Sequence, residues 1–361
     1  MIIQSLKLKN FRNYELLNLT FHPVTNIFHG DNAQGKTNIL EAVYLAGATK
    51  SHRGTKDRDM ISFGEEESHI EVKVLKNGVP FRIDIHLKKN SPKGAAINRM
   101  PVKRASELFG IINLVFFSPE DLNIIKNGPA QRRRFMDLEL SQLDKIYLNN
   151  LADYNRVVNQ RNRLLKEMAF QEKLKDTLEI WDMQLVRYGE RVMEGRKKFL
   201  REINEIVGDI HGKLTGGRER LVMEYEPSTG ELSLEEAVRR NRERDIRMKS
   251  TSAGPHRDDI CFKIKDMDIR KFGSQGQQRT AALSLKLAEI EIVKRVIHDT
   301  PVLLLDDVLS ELDKHRQNYL LDSIHDIQTL ITCTGVEEFV NHRFSINKVF
   351  LVQNGQVTNE N

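Results

Sequence analysis

The octet Gly30-Asp31-Asn32-Ala33-Gln34-Gly35-Lys36-Thr37 is a complete G-x-x-x-x-G-K-T loop, and its surroundings leave the chain few ways to fold. The apolar pair Ile27-Phe28 precedes it and the run Asn38-Ile39-Leu40-Glu41-Ala42-Val43-Tyr44-Leu45 follows. Strand, loop and helix therefore come in the order that a phosphate-binding loop requires. Successive backbone N–H groups of such a loop make a concave nest for an anion, and the helix behind it adds the positive end of its dipole. Gly30 through Asn38 are thus the expected nucleotide-contacting stretch, with Lys36 reaching the β- and γ-phosphates and Thr37 offering its hydroxyl to Mg²⁺. An ordinary Gly-rich turn is the alternative.

At 361 residues the chain is longer than one typical core supports. Two domains, or one core with a large insertion, are expected. Charged residues make up 30% and mean hydropathy is −0.48. No apolar run approaches the roughly eighteen residues that span a bilayer. The start, Met1-Ile2-Ile3-Gln4-Ser5-Leu6-Lys7, lacks the layout of a secretory signal. These features point to a cytoplasmic protein with no membrane partner. Cys261 and Cys333 have no C-x-x-C spacing, which excludes a zinc ribbon or a disulfide framework and leaves each as a small core residue.

Formal net charge is +5, and the isoelectric point is near 9.0. Basic residues cluster at Gln131-Arg132-Arg133-Arg134 and Arg239-Arg240-Asn241-Arg242-Glu243-Arg244. Such clusters fit contact with a polyanion, and a solvated helix face is the other reading.

Periodicity divides the chain. Leu6 and Leu8 alternate with Lys7 and Lys9, and Leu17, Leu19 and Phe21 alternate with polar neighbours, so strands feed the loop. Ile70, Val72 and Val74 face Phe81, Ile83, Ile85 and Leu87 across the hairpin signal Asn77-Gly78. The run from Ile111 to Phe117 suits a strand buried on both faces. Beyond Asp121 the period becomes helical. Tyr147, Leu151, Tyr154, Val158, Arg161, Leu165 and Met168 form one heptad stripe with a cationic interruption. Leu178, Trp181, Leu185, Tyr188, Val192, Gly195 and Phe199 form a second, after the polar stretch Gln171-Glu172-Lys173. The two predict an antiparallel helical hairpin about 40 Å long at 1.5 Å per residue, against the alternative of a compact bundle. The helical signal breaks around Gly216-Gly217 and Pro227–Gly230 and resumes through Leu234–Val238. Strand patterns return at Ile260, Phe262 and Ile264, at Val302–Leu305 and at Thr329–Thr332, and a terminal hairpin turns at Asn354-Gly355. No internal repeat is evident.

Pro301-Val302-Leu303-Leu304-Leu305-Asp306-Asp307 delivers two carboxylates at a strand end, where a parallel sheet presents its ligands. It reads as a Walker B element. Asp306 is expected to hold Mg²⁺ through its water shell. Asp307 is expected to reach the γ-phosphate side by pleat alternation and to orient or deprotonate the attacking water; helix capping by both acids is the alternative. Phe272-Gly273-Ser274-Gln275-Gly276-Gln277 opens another helical run, and Ser274, Gly276 and Gln277 would make a second anion site at its N-terminus or a plain helix cap.

The order of phosphate loop, Ser-x-Gly-Gln segment, acidic strand end and Ser310-Glu311-Leu312-Asp313 resembles the ATP-binding-cassette head along the whole chain. Within that group the chain resembles the RecF family, recombinational-repair relatives of the SMC proteins. The resemblance rests on Leu8–Tyr14, Ser118–Leu122, Lys126–Pro129 with Arg132–Asp137, Ala253–Asp259 and Leu305–Asp313. It implies an α/β fold: a P-loop ATPase head with an antiparallel β subdomain at 1–125, a helical arm inserted at 126–250, and the rest of the head at 251–361. It also implies a bacterial cytoplasmic protein that binds ATP and Mg²⁺. ATP would join two copies head to tail across the phosphate loop of one and the Ser274 helix of the other. The dimer would hold double-stranded or gapped DNA and, with RecR and RecO, help place RecA recombinase in replication, repair and the SOS response.

Further residues follow from this resemblance. Arg12 is expected to reach the phosphates, with a surface salt bridge to Glu15 as the alternative. Arg132, Arg133 and Arg134, with Lys56 and Arg58, are the candidate DNA contacts, sequence-independent because no recognition helix or zinc finger appears. His256 and Arg257 read as a sensor pair near the nucleotide or as a turn in which Asp258 or Asp259 neutralises Arg257. Gln275 stands where transporter-type heads have Gly, Asp307 replaces the usual catalytic Glu, and Thr332-Cys333-Thr334 offers no His for the γ-phosphate. These departures imply slow hydrolysis, and the resemblance as a whole implies a weak, DNA-stimulated ATPase. A transporter ATPase subunit is the rival reading, disfavoured by the stripes from Tyr147 to Phe199. A nuclease of the overcoming-lysogenization type is a third, and no acidic cluster follows the ATPase portion.

Overall fold

The structure is a computed structural model that describes residues 1–168, 175–335 and 346–360. These group into two compact units, Met1–Asp121 with Lys286–Asn361, and Leu122–Leu285. The Gln171-Glu172-Lys173 turn lies outside the described residues. No helix among them is long and apolar enough to cross a membrane.

The first unit holds two six-stranded sheets. Strands β1 (Ile2–Phe11), β2 (Tyr14–Thr20), β4 (Glu67–Lys76), β5 (Val79–Lys88), β6 (Gly94–Ile97) and β7 (Met100–Pro101) make an antiparallel sheet in the order β2-β1-β4-β5-β6-β7. Its inner face is written in alternation, with Leu6, Leu8, Ile70, Val72, Val74, Ile83, Ile85 and Leu87 all buried. A bulge between Ile3 and Ser5 shifts the parity, so that Ile3 and Leu6 both point inward. Asn77 and Gly78 turn the hairpin with φ of 48° and 77°, the left-handed pair that a two-residue turn needs.

The second sheet runs β15 (Gln356–Asn359), β14 (Lys348–Gln353), β3 (Thr25–His29), β13 (Thr329–Cys333), β12 (Val302–Asp306) and β8 (Leu114–Phe117). All pairs are parallel except the terminal β14–β15 hairpin. Every residue of β8, β12 and β13 is buried, as continuous apolar runs in a doubly covered sheet should be. Helix α1 (Lys36–Ala48) supplies cover by packing against strands of both sheets, which explains why it is buried nearly all round.

In the second unit, α2 (Leu122–Lys126) leads to α3 (Pro129–Leu143), which starts on Pro129, a residue that has no N–H to leave unsatisfied. Helices α4 (Lys145–Glu167) and α5 (Lys175–Leu214) pack antiparallel, with Leu165 near Leu178 and Tyr147 against Gly195. The cationic interruption of the first stripe is a buried charge. Arg161 donates to Asp182 at 2.7 Å and to Asp245 at 2.8 Å, the latter from α6 (Leu234–Met248). A three-stranded sheet of β9 (Leu221–Glu226), β10 (Asp259–Ile264) and β11 (Met267–Asp268) lies within the same unit, followed by α7 (Ile269–Phe272) and the start of α8 (Gln275–Ile297).

The units differ from the expected boundaries. Residues 251–285 belong with the helical unit because β10 forms a full antiparallel ladder with β9 and α3 packs on it. The insertion is therefore not purely helical.

Candidate nucleotide-binding site

Strand β3 lies between β14 and β13 and ends at His29, immediately before Gly30, so the loop emerges at the carboxyl edge of the parallel sheet. Two of its glycines are required by their surroundings. Gly30 has φ 143°, and a Cβ there would lie 2.3 Å from the Val352 carbonyl oxygen; Gly35 has φ 112°, and a Cβ would lie 2.4 Å from Asn13 Nδ2. The β1–β2 turn braces the loop. Asn13 Nδ2 donates to the Gln34 carbonyl at 3.0 Å, Tyr14 OH donates to the Gly35 carbonyl at 3.1 Å, and Asn38 Nδ2 donates to Asn13 Oδ1 at 2.8 Å. Burial pushes the Tyr14 phenol well above its ordinary value, so it remains a donor.

Lys36 opens α1 and is 4% exposed; its Nζ donates to the carbonyls of Gly30 at 2.5 Å and Asp31 at 3.0 Å. Thr37 Oγ1 donates to Asp306 Oδ1 at 2.8 Å, linking the helix to β12 two strands away. Thr332 on the intervening β13 donates to the same oxygen at 2.7 Å and accepts from the Asp307 N–H at 3.1 Å. Burial pushes the Asp306 carboxyl above its ordinary range, the two hydroxyls pull it back down, and Asp307 adds to the upward push. Asn32 through Asn38, with Arg53 and Asp307, line a cavity of about 260 Å³.

Several expectations need correction. Asp307 does reach the cavity, but not by pleat alternation. It lies just past β12 with φ 52°, a left-handed residue at the strand end. Arg12 is not among the residues lining this cavity and is not paired with Glu15. Its Nε and Nη2 form a bidentate pair with the fully buried Glu41 of α1 at 2.9 and 2.8 Å. Burial pushes the Glu41 carboxyl up, but hydrogen bonds from Arg12 and Ser51 and the charges of Arg12 and Arg53 outweigh it, and the net shift is downward.

Arg132 is fully buried, grips Asp259 at 2.6 and 2.9 Å and donates to the Asn127 carbonyl at 2.6 Å, which leaves it no reach to an external phosphate. Arg133 is partly buried and donates to the Asp258 carbonyl at 2.8 Å. Arg134, Lys56 and Arg58 are exposed, and Arg58 lies 3.5 Å from Asp59.

In the second unit, Ser274 and Gln277 form a capping box. Ser274 N–H donates to Gln277 Oε1 at 2.9 Å and Gln277 N–H to Ser274 Oγ at 3.2 Å, with Gly276 between them exposed. His256 is held neutral: Tyr154 OH donates to Nδ1 at 2.6 Å, Nε2 donates to the Thr251 carbonyl at 3.1 Å, and burial pushes the ring down to about 4. Arg257 does not pair with Asp258 or Asp259. Asp258 accepts from Tyr225 and from the Ser228 N–H, Asp259 is taken by Arg132 and Arg270, and Arg257 donates to Ser250 and the Thr251 carbonyl.

Sequence reasoning missed Arg53, Asn13 and Thr332. Asn13 and Thr332 lay in stretches already singled out, but only the β1–β2 turn and the β12–β13 register show what they touch.

The family model described as RecF/RecN/SMC N terminal domain matches residues 2–358. The DNA replication and repair protein RecF of Lachnospira eligens is 63% identical over 363 residues, covering 100% of both chains. The protein of the same name from Clostridium perfringens SM101 is 43% identical over 362 residues and 99% of both chains. A solved structure of the recombination mediator protein RecF with ATP, from the RecFOR pathway, has a TM-score of 0.93 at 34% identity, covering 99% of this chain and 97% of its own. The Smc head domain from Pyrococcus furiosus shares the fold alone, with a TM-score of 0.58 at 17% identity over 99% of this chain and 96% of its own. The fold is that of an ABC-type ATPase head, the transporter-subunit alternative is set aside, and the chain belongs to the RecF family.

Proposed function

We propose that this chain is a cytoplasmic, ATP-dependent DNA-binding switch of recombinational repair, in which ATP joins two copies and slow hydrolysis releases them. The observation that carries the reading is one small cavity behind an anion nest, lined by Lys36, Thr37, Arg53 and Asp307, with Asp306 tied to it through the Thr37 hydroxyl. A triphosphate there would give Lys36 Nζ charged partners in place of the two neutral carbonyls it now contacts. The Thr37 hydroxyl and Asp306 carboxylate are hard oxygen donors 2.8 Å apart, which suits Mg²⁺ with most of its waters retained. The ion, when bound, supplies charge neutralisation on the β- and γ-phosphates. Asp307 would orient the attacking water. Its arm is one methylene shorter than Glu and its backbone is held in a left-handed conformation, which supports weak hydrolysis.

The γ-phosphate would be completed by Ser274 and the α8 N-terminus of a second copy, and its loss would part the pair. The paired copies would bind double-stranded or gapped DNA through exposed cations such as Arg134 and Lys56, without sequence preference and with affinity falling steeply as salt rises. In this reading the chain works beside RecR and RecO in loading RecA; relatives named as DNA replication and repair proteins, and a relative described as a recombination mediator of the RecFOR pathway, support the repair role. The test is ATP-dependent binding to gapped, duplex and single-stranded DNA by the wild type and Lys36→Arg. ATP should strengthen wild-type binding and leave the variant unchanged. Binding indifferent to both ATP and salt would refute the reading.

A further inference from the structure

Glu219 lies between α5 and β9, and the second unit brings it to the Ser274–Gln277 segment. Its N–H donates to Thr215 Oγ1 at 3.3 Å, and Thr215 in turn donates to the His211 carbonyl at 2.8 Å, so the turn is tied to the last residues of α5. Glu219 Oε1 accepts from Gln277 Nε2 at 2.8 Å, and Oε2 faces the buried His211 Nε2 at 3.5 Å. The other end of the Gln277 amide accepts from the Ser274 N–H at 2.9 Å.

A glutamine amide has a broad, nearly two-fold terminal torsion, so nothing intrinsic decides which end faces which neighbour. A carboxylate only accepts, and it therefore holds the NH₂ end. That choice turns the Gln277 oxygen to the Ser274 N–H and completes the cap. Ser274 Oγ, which accepts from Gln277 N–H at 3.2 Å, keeps its own proton to donate outward from an exposed position.

We propose that Glu219 is a positioning residue for the Ser274–Gln277 segment: by fixing the Gln277 amide it presents the Ser274 hydroxyl to a phosphate held by a second copy. The proposal rests on the shared site described above, but its residue is outside the phosphate-loop cavity. Glu219 acts on the pairing of copies and leaves nucleotide capture by a single chain alone.

Sedimentation with ATP tests it, run beside nucleotide affinity of the dilute monomer and thermal melting. Glu219→Ala should weaken ATP-dependent self-association about tenfold, the effect of losing one hydrogen bond to a charged group. Monomer affinity should not change. Gln277→Glu should weaken association similarly by setting two carboxylates face to face, and adding Glu219→Gln should restore it by exchanging amide and carboxylate across the contact. The swap decides the matter even if Glu219→Ala melts early. Wild type that associates with ATP while Glu219→Ala matches it, or a swap without rescue, overturns the proposal alone. Wild type that does not associate overturns the shared site and this proposal with it.

Discussion

The Thr332 hydroxyl donates to Asp306 Oδ1 at 2.7 Å, from a position directly opposite Asp306 in the parallel β13–β12 ladder. Thr332 also holds the Asp307 N–H, so one side chain on β13 sets both acids. Thr332→Val keeps the shape and removes the donor. Asp306, already pushed up by burial, should rise further. Binding of Mg²⁺–ATP should weaken about tenfold, and more as pH falls, because the ionised carboxylate is the form that binds. Calorimetric titration with and without Mg²⁺ checks this, and equal affinities for variant and wild type would refute it.

Gly30→Ala places a methyl group 2.3 Å from the Val352 carbonyl at φ 143°. The end of β14 must move or the loop must distort, at roughly 2–4 kcal/mol. Thermal unfolding should show a clear fall in melting temperature even without nucleotide.

The Arg12–Glu41 pair is structural here, so Arg12→Ala should destabilise by about 3 kcal/mol by taking the bidentate partner from a buried carboxylate that keeps only the Ser51 hydroxyl and the more distant Arg53. Adding Glu41→Gln should recover much of the loss. Nucleotide affinity of the folded fraction should stay within about twofold of the wild type, whereas a phosphate-contacting arginine would lose at least tenfold.

His256 is neutral in the fold, its pKa pushed by burial from 6.5 to about 4. A depressed histidine favours folding fully above pH 6.5, and that contribution is lost as pH falls towards 4, on the order of 3 kcal/mol in all. Asp121, pushed by burial up to about 6, acts in the opposite sense over an overlapping range. The informative quantity is therefore the difference between wild type and His256→Gln in chemical denaturation from pH 7 to pH 4.5. The variant should lose less stability on acidification, and parallel curves would contradict the assignment.

Legibility followed range. The phosphate loop, the hairpins at Asn77-Gly78 and Asn354-Gly355 and the buried strands β12 and β13 are local patterns, and the structure contains them. The fate of single charges was not local. Arg12 meets Glu41 across 29 positions and Arg132 meets Asp259 across 127, so a run of arginines could not reveal which one turns inward. The arrival of Asp307 depends on a left-handed residue that an Asp seldom signals. The grouping of 251–285 with the helical unit depends on a ladder between segments more than thirty residues apart in sequence.

The central claim is that each nucleotide is shared between two copies, and complementation tests it most directly. Lys36→Arg spoils the loop and Ser274→Arg spoils the opposing helix, so either variant alone has no complete site. A mixture forms pairs in which one site takes an intact loop from one chain and an intact helix from the other. ATP turnover in the mixture should rise well above the sum of the two variants measured separately. Turnover that stays at that sum, while the wild type turns over normally, would contradict the account.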